Sequence, residues 1–344
     1  MRQLIRLPLF ACLLLAFSLS ALAQTPSGYH VINKYKLGGD GGWDYITYDA
    51  KGNRVFISRS THVMVVDAST GNVIGDIPDT QGVHGIAIAD EFGKGYTSNG
   101  RGNNVTVFDL KTLKVLKQIP VGQNPDAILY DAASKRVFTL NGRSSDATAI
   151  DAKTDTVAGT IALEGKPETA TSDEKGHVFV NLEDKSTIAE LDSQKLTVLN
   201  RWPLAPCEEP SGMAIDRKHH RLFAGCSNKL MAVVDTESGK VVTTLPIGPG
   251  VDANGFDDGK DYAFSSNGGD ATLTVVHEDS PDKFTVVENV PTQRGARTMA
   301  VDAKSHRVFL VTAEFGPPPA PTPDRPRPRP SIVPGTFTLL VVGR

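Results

Sequence analysis

The stretch GVHGIAIADEFGKGYTSNGRGNNVTVFDLKTLKVLKQIPVGQ, residues 82–123, contains the pattern that decides the fold. It divides into four short segments rich in β-branched or aromatic residues, which we predict as strands A to D of one antiparallel sheet. They are HGIAI from His84, GYTSN from Gly95, VTVFD from Val105 and KVLKQI from Lys114. A sheet this small cannot bury both of its faces alone, so it needs neighbours of the same kind.

The same unit recurs seven times along the chain. Its landmark is an Asp, a short polar turn and an apolar group that ends in an aromatic residue, and the Asp-to-Asp steps are 41, 41, 42, 43, 41 and 45 residues. A period of 40 to 45 residues with four strands per unit is typical of a β-propeller blade. We therefore predict an all-β, seven-bladed β-propeller with four antiparallel strands per blade. The landmark aspartates are Asp49, Asp90, Asp131, Asp173, Asp216, Asp257 and Asp302.

The seventh unit ends after its strand C, so its fourth strand must come from elsewhere in the chain. His30–Leu37 has the strand D pattern and precedes the first full unit. We predict that this N-terminal strand completes the last blade, because closing the ring in this way leaves no unpaired edge. Residues 24–344 then form a single propeller domain.

Residues 1–23 have the features of a secretory signal peptide. Arg2 and Arg6 precede an apolar run over residues 9–19, and the small residues 21–23 form a cleavage site before Gln24. The alternative is a membrane anchor, but the run is short for a bilayer span. We expect a periplasmic or secreted protein without a membrane span after signal removal. Loss of the two arginines changes the formal net charge from −3 to −5.

Two cysteines, Cys207 and Cys226, remain after residue 23. An oxidising compartment makes such a pair a disulfide candidate, and both positions fall on the rim that carries the blade links. The alternative is two buried free thiols. Because the chain contains no Cys-x-x-Cys-His motif, covalent c-type haem is excluded.

Three strand B segments, Tyr96-Thr-Ser-Asn99, Phe138-Thr-Leu-Asn141 and Phe264-Ser-Ser-Asn267, resemble the tetrapeptide of the YVTN repeat family. The resemblance covers residues 29–344 and is strongest to exported bacterial YncE-like propellers. It implies a periplasmic seven-bladed propeller and leaves the function open, since single-stranded DNA binding is known for one member and related propellers include lactonases and lyases. The acidic net charge of this chain argues against nucleic acid as a partner.

One position in each unit is a candidate binding residue. It lies twelve residues before the strand B aromatic, or eleven in the fourth unit, at the start of the innermost strand. We expect these side chains to converge around the mouth of the central channel, and we call them the mouth ring. Unlike packing positions, they differ chemically from blade to blade, as a binding site requires; the alternative is a merely hydrated entrance. The mouth ring comprises Asp44, His84, Asp126, Glu168, Ser211, Asp252 and Arg297.

The four carboxylates of the mouth ring repel one another unless a positive charge lies among them. Arg297, a protonated His84 or a bound cation could supply that charge. Carboxylates without cysteine favour calcium or magnesium, so Asp44, Asp126, Glu168 and Asp252 are the candidate metal ligands if a cofactor is bound here.

Two further features lie on the same rim. Arg101 and Arg143 follow equivalent Asn-Gly turns and are candidate contacts for an anionic ligand. The proline-rich insertion 314–335, between strands B and C of the last blade, favours extended polyproline II structure and could be a lid, a docking arm or a tolerated loop. The basic run 217–221 is interpreted as a solvated turn.

These features predict a protein that binds a small molecule or a protein partner at the channel-mouth face, without demonstrable catalysis. The alternative is a lactonase-type hydrolase or lyase that uses a divalent cation at the mouth. His84 and Glu168 would then be its acid and base. Single-stranded DNA binding is a third option that rests on the family resemblance.

Overall fold

A computed structural model describes residues 27–39, 41–322, 328 and 330–344. Seven four-stranded antiparallel sheets stand around a central channel, as the repeat predicts. Among the described residues, no helix has the length and apolar character needed to span a bilayer. The predicted signal peptide lies outside the described residues and stays a prediction.

Each blade runs from an inner strand A to an outer strand D. Blade one contains β2 (Ile46–Asp49), β3 (Arg54–Ser58), β4 (Val63–Asp67) and β5 (Val73–Ile77), and blade two contains β6 (Val83–Ala89), β7 (Lys94–Asn99), β8 (Asn104–Asp109) and β9 (Val115–Pro120). Blade three contains β10 (Pro125–Asp131), β11 (Arg136–Asn141), β12 (Asp146–Asp151) and β13 (Thr156–Ala162), and blade four contains β14 (Pro167–Ser172), β15 (His177–Leu182), β16 (Thr187–Asp192) and β17 (Thr197–Pro203). Blade five contains β18 (Pro210–Asp216), β19 (Arg221–Cys226), β20 (Leu230–Asp235) and β21 (Val241–Pro246), and blade six contains β22 (Val251–Asp257), β23 (Tyr262–Asn267), β24 (Thr272–Ser280) and β25 (Lys283–Pro291).

The last blade joins the two ends of the propeller. It contains β26 (Met299–Asp302), β27 (Arg307–Thr312) and β28 (Thr338–Gly343), and its outer strand is β1 (His30–Lys36). β1 pairs antiparallel with β28 from His30 opposite Gly343 to Lys36 opposite Thr338. The predicted closure is therefore confirmed. Two short 3₁₀ turns, Asp90–Phe92 and Glu183–Lys185, are the helical elements of the described chain.

Among the described residues the core consists of seven apolar clusters, one at each junction between neighbouring blades. The repeated strand B aromatic enters the cluster shared with the following blade, as Phe138 does between blades three and four. Because burying an aromatic ring contributes several kcal/mol, truncation at any of these positions should cost about 3–5 kcal/mol. The seven aromatics are Phe56, Tyr96, Phe138, Phe179, Phe223, Phe264 and Phe309, and each is at most 1% exposed.

The repeated aspartates stabilise backbone turns. At the end of strand A, Asp49 Oδ1 accepts the N–H of Gly52 at 2.9 Å, and Asp131 Oδ2 accepts that of Ser134 at 2.9 Å. At the end of strand C, Asp67 Oδ1 accepts the N–H of Thr70 at 2.8 Å. A short acidic side chain at the start of a turn commonly satisfies the backbone in this way, which explains why both aspartates recur with the blade.

Two regions depart from the regular blade. In blade six the C–D hairpin is longer than the sequence pattern predicted, with nine residues in each strand. In blade seven the insertion begins and ends in a small antiparallel bridge between Phe315 and Ile332. Arg325, Arg327 and Arg329 of the insertion lie outside the described residues.

The interpretation of residues 217–221 as a solvated turn was wrong for part of the run. Arg221 is 8% exposed, because its guanidinium group reaches the long hairpin of blade six and donates from Nε to the Pro281 carbonyl at 2.6 Å. The interblade contact, which local sequence cannot reveal, excludes solvent from this end of the turn.

Candidate functional site at the channel mouth

The seven mouth-ring residues lie at or just before the start of strand A in their blades. Asp126 is the second residue of β10 and Asp252 the second of β22, whereas Asp44 and Arg297 each stand two residues before their strands. Strand A lines the channel in every blade, so equivalent positions on seven strands face one another across its mouth. All seven side chains are partly buried.

Six of these residues form a continuous polar network. His84 Nδ1 donates to Asp44 Oδ2 at 2.6 Å and lies 3.5 Å from Asp126 Oδ1. On the other side, Arg297 Nη2 lies 3.4 Å from Asp44 Oδ1. Arg297 Nε donates to Asp252 Oδ2 at 2.6 Å, and Ser211 Oγ donates to Asp252 Oδ1 at 2.9 Å.

The contacts of this network raise the pKa values of His84 and Arg297. Burial alone would lower the pKa of His84, but its hydrogen bond to Asp44 and the charge of Asp126 raise that pKa above its usual value. Burial likewise opposes the charge of Arg297, and the nearby carboxylates of Asp252 and Asp44 raise its pKa overall. Three carboxylates of the ring thus have a cation beside them.

Glu168 differs from the other carboxyl groups of the mouth ring. Its Oε2 atom is buried and accepts no hydrogen bond from the described residues, and the nearest cation is Lys166 Nζ at 3.4 Å. Lys166 is shared, because it also contacts Glu183. Burial raises the pKa of Glu168 to about 8, and the charge of Asp126 adds to the rise. Burial also raises the pKa of Asp126 to about 6, which His84 counteracts in part.

Tyr45 is a site residue that the sequence reasoning missed. It belongs to blade one but packs against the apolar cluster of blades three and four, so its ring crosses the channel beneath the mouth ring. Burial, followed by the charges of Glu168 and Asp126, raises its pKa well above the usual value, and the hydroxyl stays a neutral donor. Below it, a cavity of about 170 Å³ is lined by strand A residues such as Thr47 and Thr169.

A larger cleft lies beside the ring, between blades six, seven and one. Its volume is about 430 Å³, and Trp43, Phe315 and Ile332 supply apolar walls. Arg297 belongs to both the ring and the cleft, and Arg294 stands exposed at the cleft edge. Trp43 is 8% exposed and packs on Phe315 at a centroid distance of 6.0 Å.

The residues predicted to bind metal do not converge on one point. Of the four carboxylates, Asp44 and Asp126 have oxygen atoms within 4.8 Å of each other and of a nitrogen of His84, whereas Glu168 and Asp252 do not join that group. Asp252 is instead paired with Arg297, whose Nε donates to Asp252 Oδ2 at 2.6 Å. The four carboxylates therefore do not form one group of ligand atoms, and calcium or magnesium binding at the mouth stays a prediction.

The second set of predicted contacts lies apart from this network. Arg101 and Arg143 are exposed on their B–C turns. The asparagines before them are structural, since Asn99 Nδ2 donates to Thr106 Oγ1 at 2.8 Å and Asn141 Nδ2 donates to Thr148 Oγ1 at 2.9 Å. These bonds join strands B and C within a blade.

Cys207 and Cys226 are joined in a disulfide, with their Cα atoms 5.8 Å apart. Both are buried in the cluster between blades four and five. The bond ties the link that enters blade five to the end of its strand B, which confirms the predicted pairing.

No family model matches the chain, and no curated protein sequence is significantly similar to it. Among solved structures, it is similar to the hydrazine synthase of Kuenenia stuttgartiensis, with a TM-score of 0.71, 17% identity, and coverage of 80% of this chain and 94% of that one. It is also similar to U3-55K, with a TM-score of 0.73, 8% identity, and coverage of 92% and 99%. The RRP9 WD40 repeats align with a TM-score of 0.74, 8% identity, and coverage of 93% and 99%. At these identities the similarity shows the propeller fold, which is compatible with a binding role.

Proposed function

We propose that this protein binds a small molecule through a cationic donor group, such as a primary ammonium, at the mouth ring. The observation that carries the proposal is the buried Oε2 atom of Glu168, which accepts no aligned hydrogen bond from the described residues and has as its neighbouring cation Lys166 Nζ at 3.4 Å, which Glu183 shares. A buried polar atom without a partner is costly, and a ligand that donates to it removes that cost.

The electrostatics of the ring favour a cation at this point. Glu168 and Asp126 retain protons more readily than ordinary carboxyl groups, with pKa values of about 8 and about 6. A positive charge brought close to them favours their ionised forms. Binding of an ammonium group near neutral pH therefore releases protons, which distinguishes this mode from simple apolar binding.

The cleft beside the ring supplies room for the rest of the ligand. Its volume lies within the range of small-molecule sites, and Trp43 and Phe315 offer aromatic walls. Arg297 lines both the ring and the cleft, so a ligand that reaches Glu168 of blade four from the cleft must span the channel mouth. An apolar or aromatic substituent fits these walls best.

The resemblance to YncE-like YVTN propellers supports an exported binding protein. The disulfide and the strand B tetrapeptides agree with that assignment, and we propose a periplasmic or secreted location on this basis. Nucleic acid is a poor partner, because an acidic mouth repels phosphate.

The test compares benzylamine with benzyl alcohol and benzoate, using thermal shift and calorimetry of the purified exported protein. We expect benzylamine alone to bind, with a heat that depends on the ionisation enthalpy of the buffer because protons are released. The double variant D126N/E168Q should stay folded and lose this binding. R101Q, on the same rim but outside the ring, is the matched control. Unchanged affinity in the folded double variant would refute the proposal and direct the search to the proline-rich insertion.

A second candidate is a lactonase-type hydrolase or lyase that uses a divalent cation. The observation in its favour is that donor atoms of Asp44, His84 and Asp126 lie within 4.8 Å of one another. Glu168, protonated at neutral pH, would serve as the acid. Against it, His84 Nδ1 already donates to Asp44. Lactone hydrolysis that requires added calcium or magnesium and is lost in D126N would establish this candidate, and its absence would exclude it.

A further inference from the structure

A second polar cluster lies at the opposite end of the channel wall from the mouth ring. Asp216 ends strand A of blade five, His219 follows in the A–B turn, and Glu278 stands on β24 of blade six. His219 Nδ1 lies 2.7 Å from Asp216 Oδ2 and 2.9 Å from Glu278 Oε1. The three residues thus bring two carboxylates and an imidazole to one interblade junction.

The facing atoms of this cluster have no hydrogen-bond partners among the described residues. This holds for Asp216 Oδ2, His219 Nδ1 and both carboxylate oxygens of Glu278, all of which are buried. The side chains of Asp216 and Glu278 are 2% and 1% exposed. Although Asp216 Oδ2 and Glu278 Oε1 each lie within 3 Å of His219 Nδ1, neither oxygen is aligned with Nδ1 as a hydrogen bond requires. The donor atoms of the three residues lie within 4.8 Å of one another.

Glu278 differs in charge from the residues at the equivalent position of blades one to five. The backbone N–H at this position donates to the A–B turn of its own blade, as Leu110 does to Gly93 at 2.9 Å and Glu278 to Asp261 at 2.8 Å. In blades one to five the equivalent side chains are smaller or apolar and do not carry charge, whereas blade seven has Arg344 at this position. The five uncharged residues are Ala68, Leu110, Ala152, Ser193 and Thr236.

Asp216 also differs from its equivalents. In blades one and seven the second oxygen of the strand A aspartate accepts from an arginine five residues later, as in Asp49–Arg54 at 2.8 Å and Asp302–Arg307 at 3.1 Å. Asp216 uses Oδ1 for its turn, accepting the N–H of Lys218 at 2.8 Å, and its Oδ2 atom has no such donor.

The arginine that could have neutralised Asp216 is engaged elsewhere. Arg221 Nη1 lies 2.5 Å from Asp235 Oδ2, and its Nη2 lies 3.0 Å from Asp282 Oδ1. Two carboxylates are therefore buried side by side, with a single imidazole between them. Two buried carboxyl groups side by side need either a cation or a shared proton between them.

We infer that Asp216, His219 and Glu278 form a binding site for a divalent transition-metal cation of the Zn²⁺ or Mn²⁺ type, which ties blade five to the long hairpin of blade six. An imidazole among the donors favours these ions over calcium and magnesium, which prefer oxygen alone. Metal–ligand bonds of about 2.1 Å place donor atoms about 3.0–3.4 Å apart, so the present contacts need to open by only a few tenths of an ångström. His219, whose side chain is 23% exposed, gives access and leaves room for water ligands.

The test is equilibrium dialysis of the purified full chain against Zn²⁺, after treatment with a chelator, with Mg²⁺ in a parallel arm. We expect about one Zn²⁺ per chain, a raised melting temperature in its presence, and little effect of Mg²⁺. E278A should weaken Zn²⁺ binding by at least about 100-fold, since it removes a direct ligand. Alanine is tolerated in this slot, because Ala68 and Ala152 occupy it in blades one and three.

The control variant is D126N, which alters the mouth ring and should retain the Zn²⁺ and its stabilising effect. Loss of the metal in D126N but not in E278A would assign it to the mouth ring and overturn the inference. The absence of stoichiometric Zn²⁺ in the wild type would also overturn the inference, and E278A should then be more stable than the wild type. That result would mean that Asp216 and Glu278 share a proton instead. Neither result depends on whether benzylamine binds at the mouth.

Discussion

Replacing Glu168 with glutamine tests the electrostatic description of the mouth ring directly. The pKa of this carboxyl group is raised from 4.5 to about 8. Between these two values the native state keeps a proton that the unfolded chain releases. The free energy of unfolding therefore falls as pH rises, by about 1.4 kcal/mol for each pH unit in this window.

The expected magnitude follows from this slope. At pH 7 the ionisable side chain lowers the stability of the wild type by up to about 3 kcal/mol relative to a neutral isostere. Glutamine carries no charge at any pH and keeps the shape of the side chain. E168Q should therefore be more stable than the wild type at neutral pH, by up to that amount. Near pH 4, where the carboxyl is protonated in both states, the two proteins should be equally stable.

Urea unfolding at several pH values between about 4 and 8.5 measures this difference. E164Q is a suitable control, because it also removes one carboxylate. Glu164 lies on the same blade link, and its side chain is 75% exposed. E164Q should follow the wild-type curve. A difference between E168Q and the wild type that does not grow with pH would refute the reasoning, as would an E168Q protein that is less stable at pH 7.

Three further predictions concern the closure and the links of the propeller. The Cys207–Cys226 bond closes a loop with a sequence separation of 19 and should contribute about 3 kcal/mol, so two titratable thiols in unreduced, denatured protein would contradict it. Deletion of His30–Lys36 should lower the melting temperature of the whole domain, because blade seven loses its outer strand; an unchanged melting temperature would contradict the closure. Arg59 is 1% exposed, lies 3.6 Å from the centroid of the Phe337 ring and donates to three backbone carbonyls of the first blade link. R59L should therefore lower the free energy of unfolding by at least about 2 kcal/mol in chemical denaturation. A denaturation midpoint equal to that of the wild type would show that the contacts of Arg59 contribute little to stability.

The fold could be predicted from the sequence because its information is local and repeated. Strand period, turn aspartates and strand B aromatics each follow from a few neighbouring residues, and their recurrence fixes the number of blades. The closing strand was predictable for the same reason, because the last unit lacks its strand D and the N-terminal segment before the first unit has the strand D pattern. The convergence of Asp44, His84 and Asp126 followed from symmetry, because equivalent positions on equivalent strands must face a common axis.

The pairing of side chains across the ring was decided only by the tertiary structure. The repeat placed Glu168 in the ring but could not show that Lys166 pairs with it at 3.4 Å or that Oε2 accepts no aligned hydrogen bond from the described residues. It also could not show that Tyr45 crosses the channel, since rotamers and burial depend on residues from three other blades. The long hairpin of blade six was underestimated because a repeat pattern describes what blades share.

The cluster of Asp216, His219 and Glu278 illustrates this limit. His277 replaces the usual aspartate of strand C, and Glu278 follows it, so the sequence itself shows that blade six departs from the others. The partners of Glu278 lie about sixty residues earlier in the chain. Periodicity determines which backbone positions are equivalent. The charge environment of a side chain depends instead on the distances between blades, and these distances are set only when the ring closes.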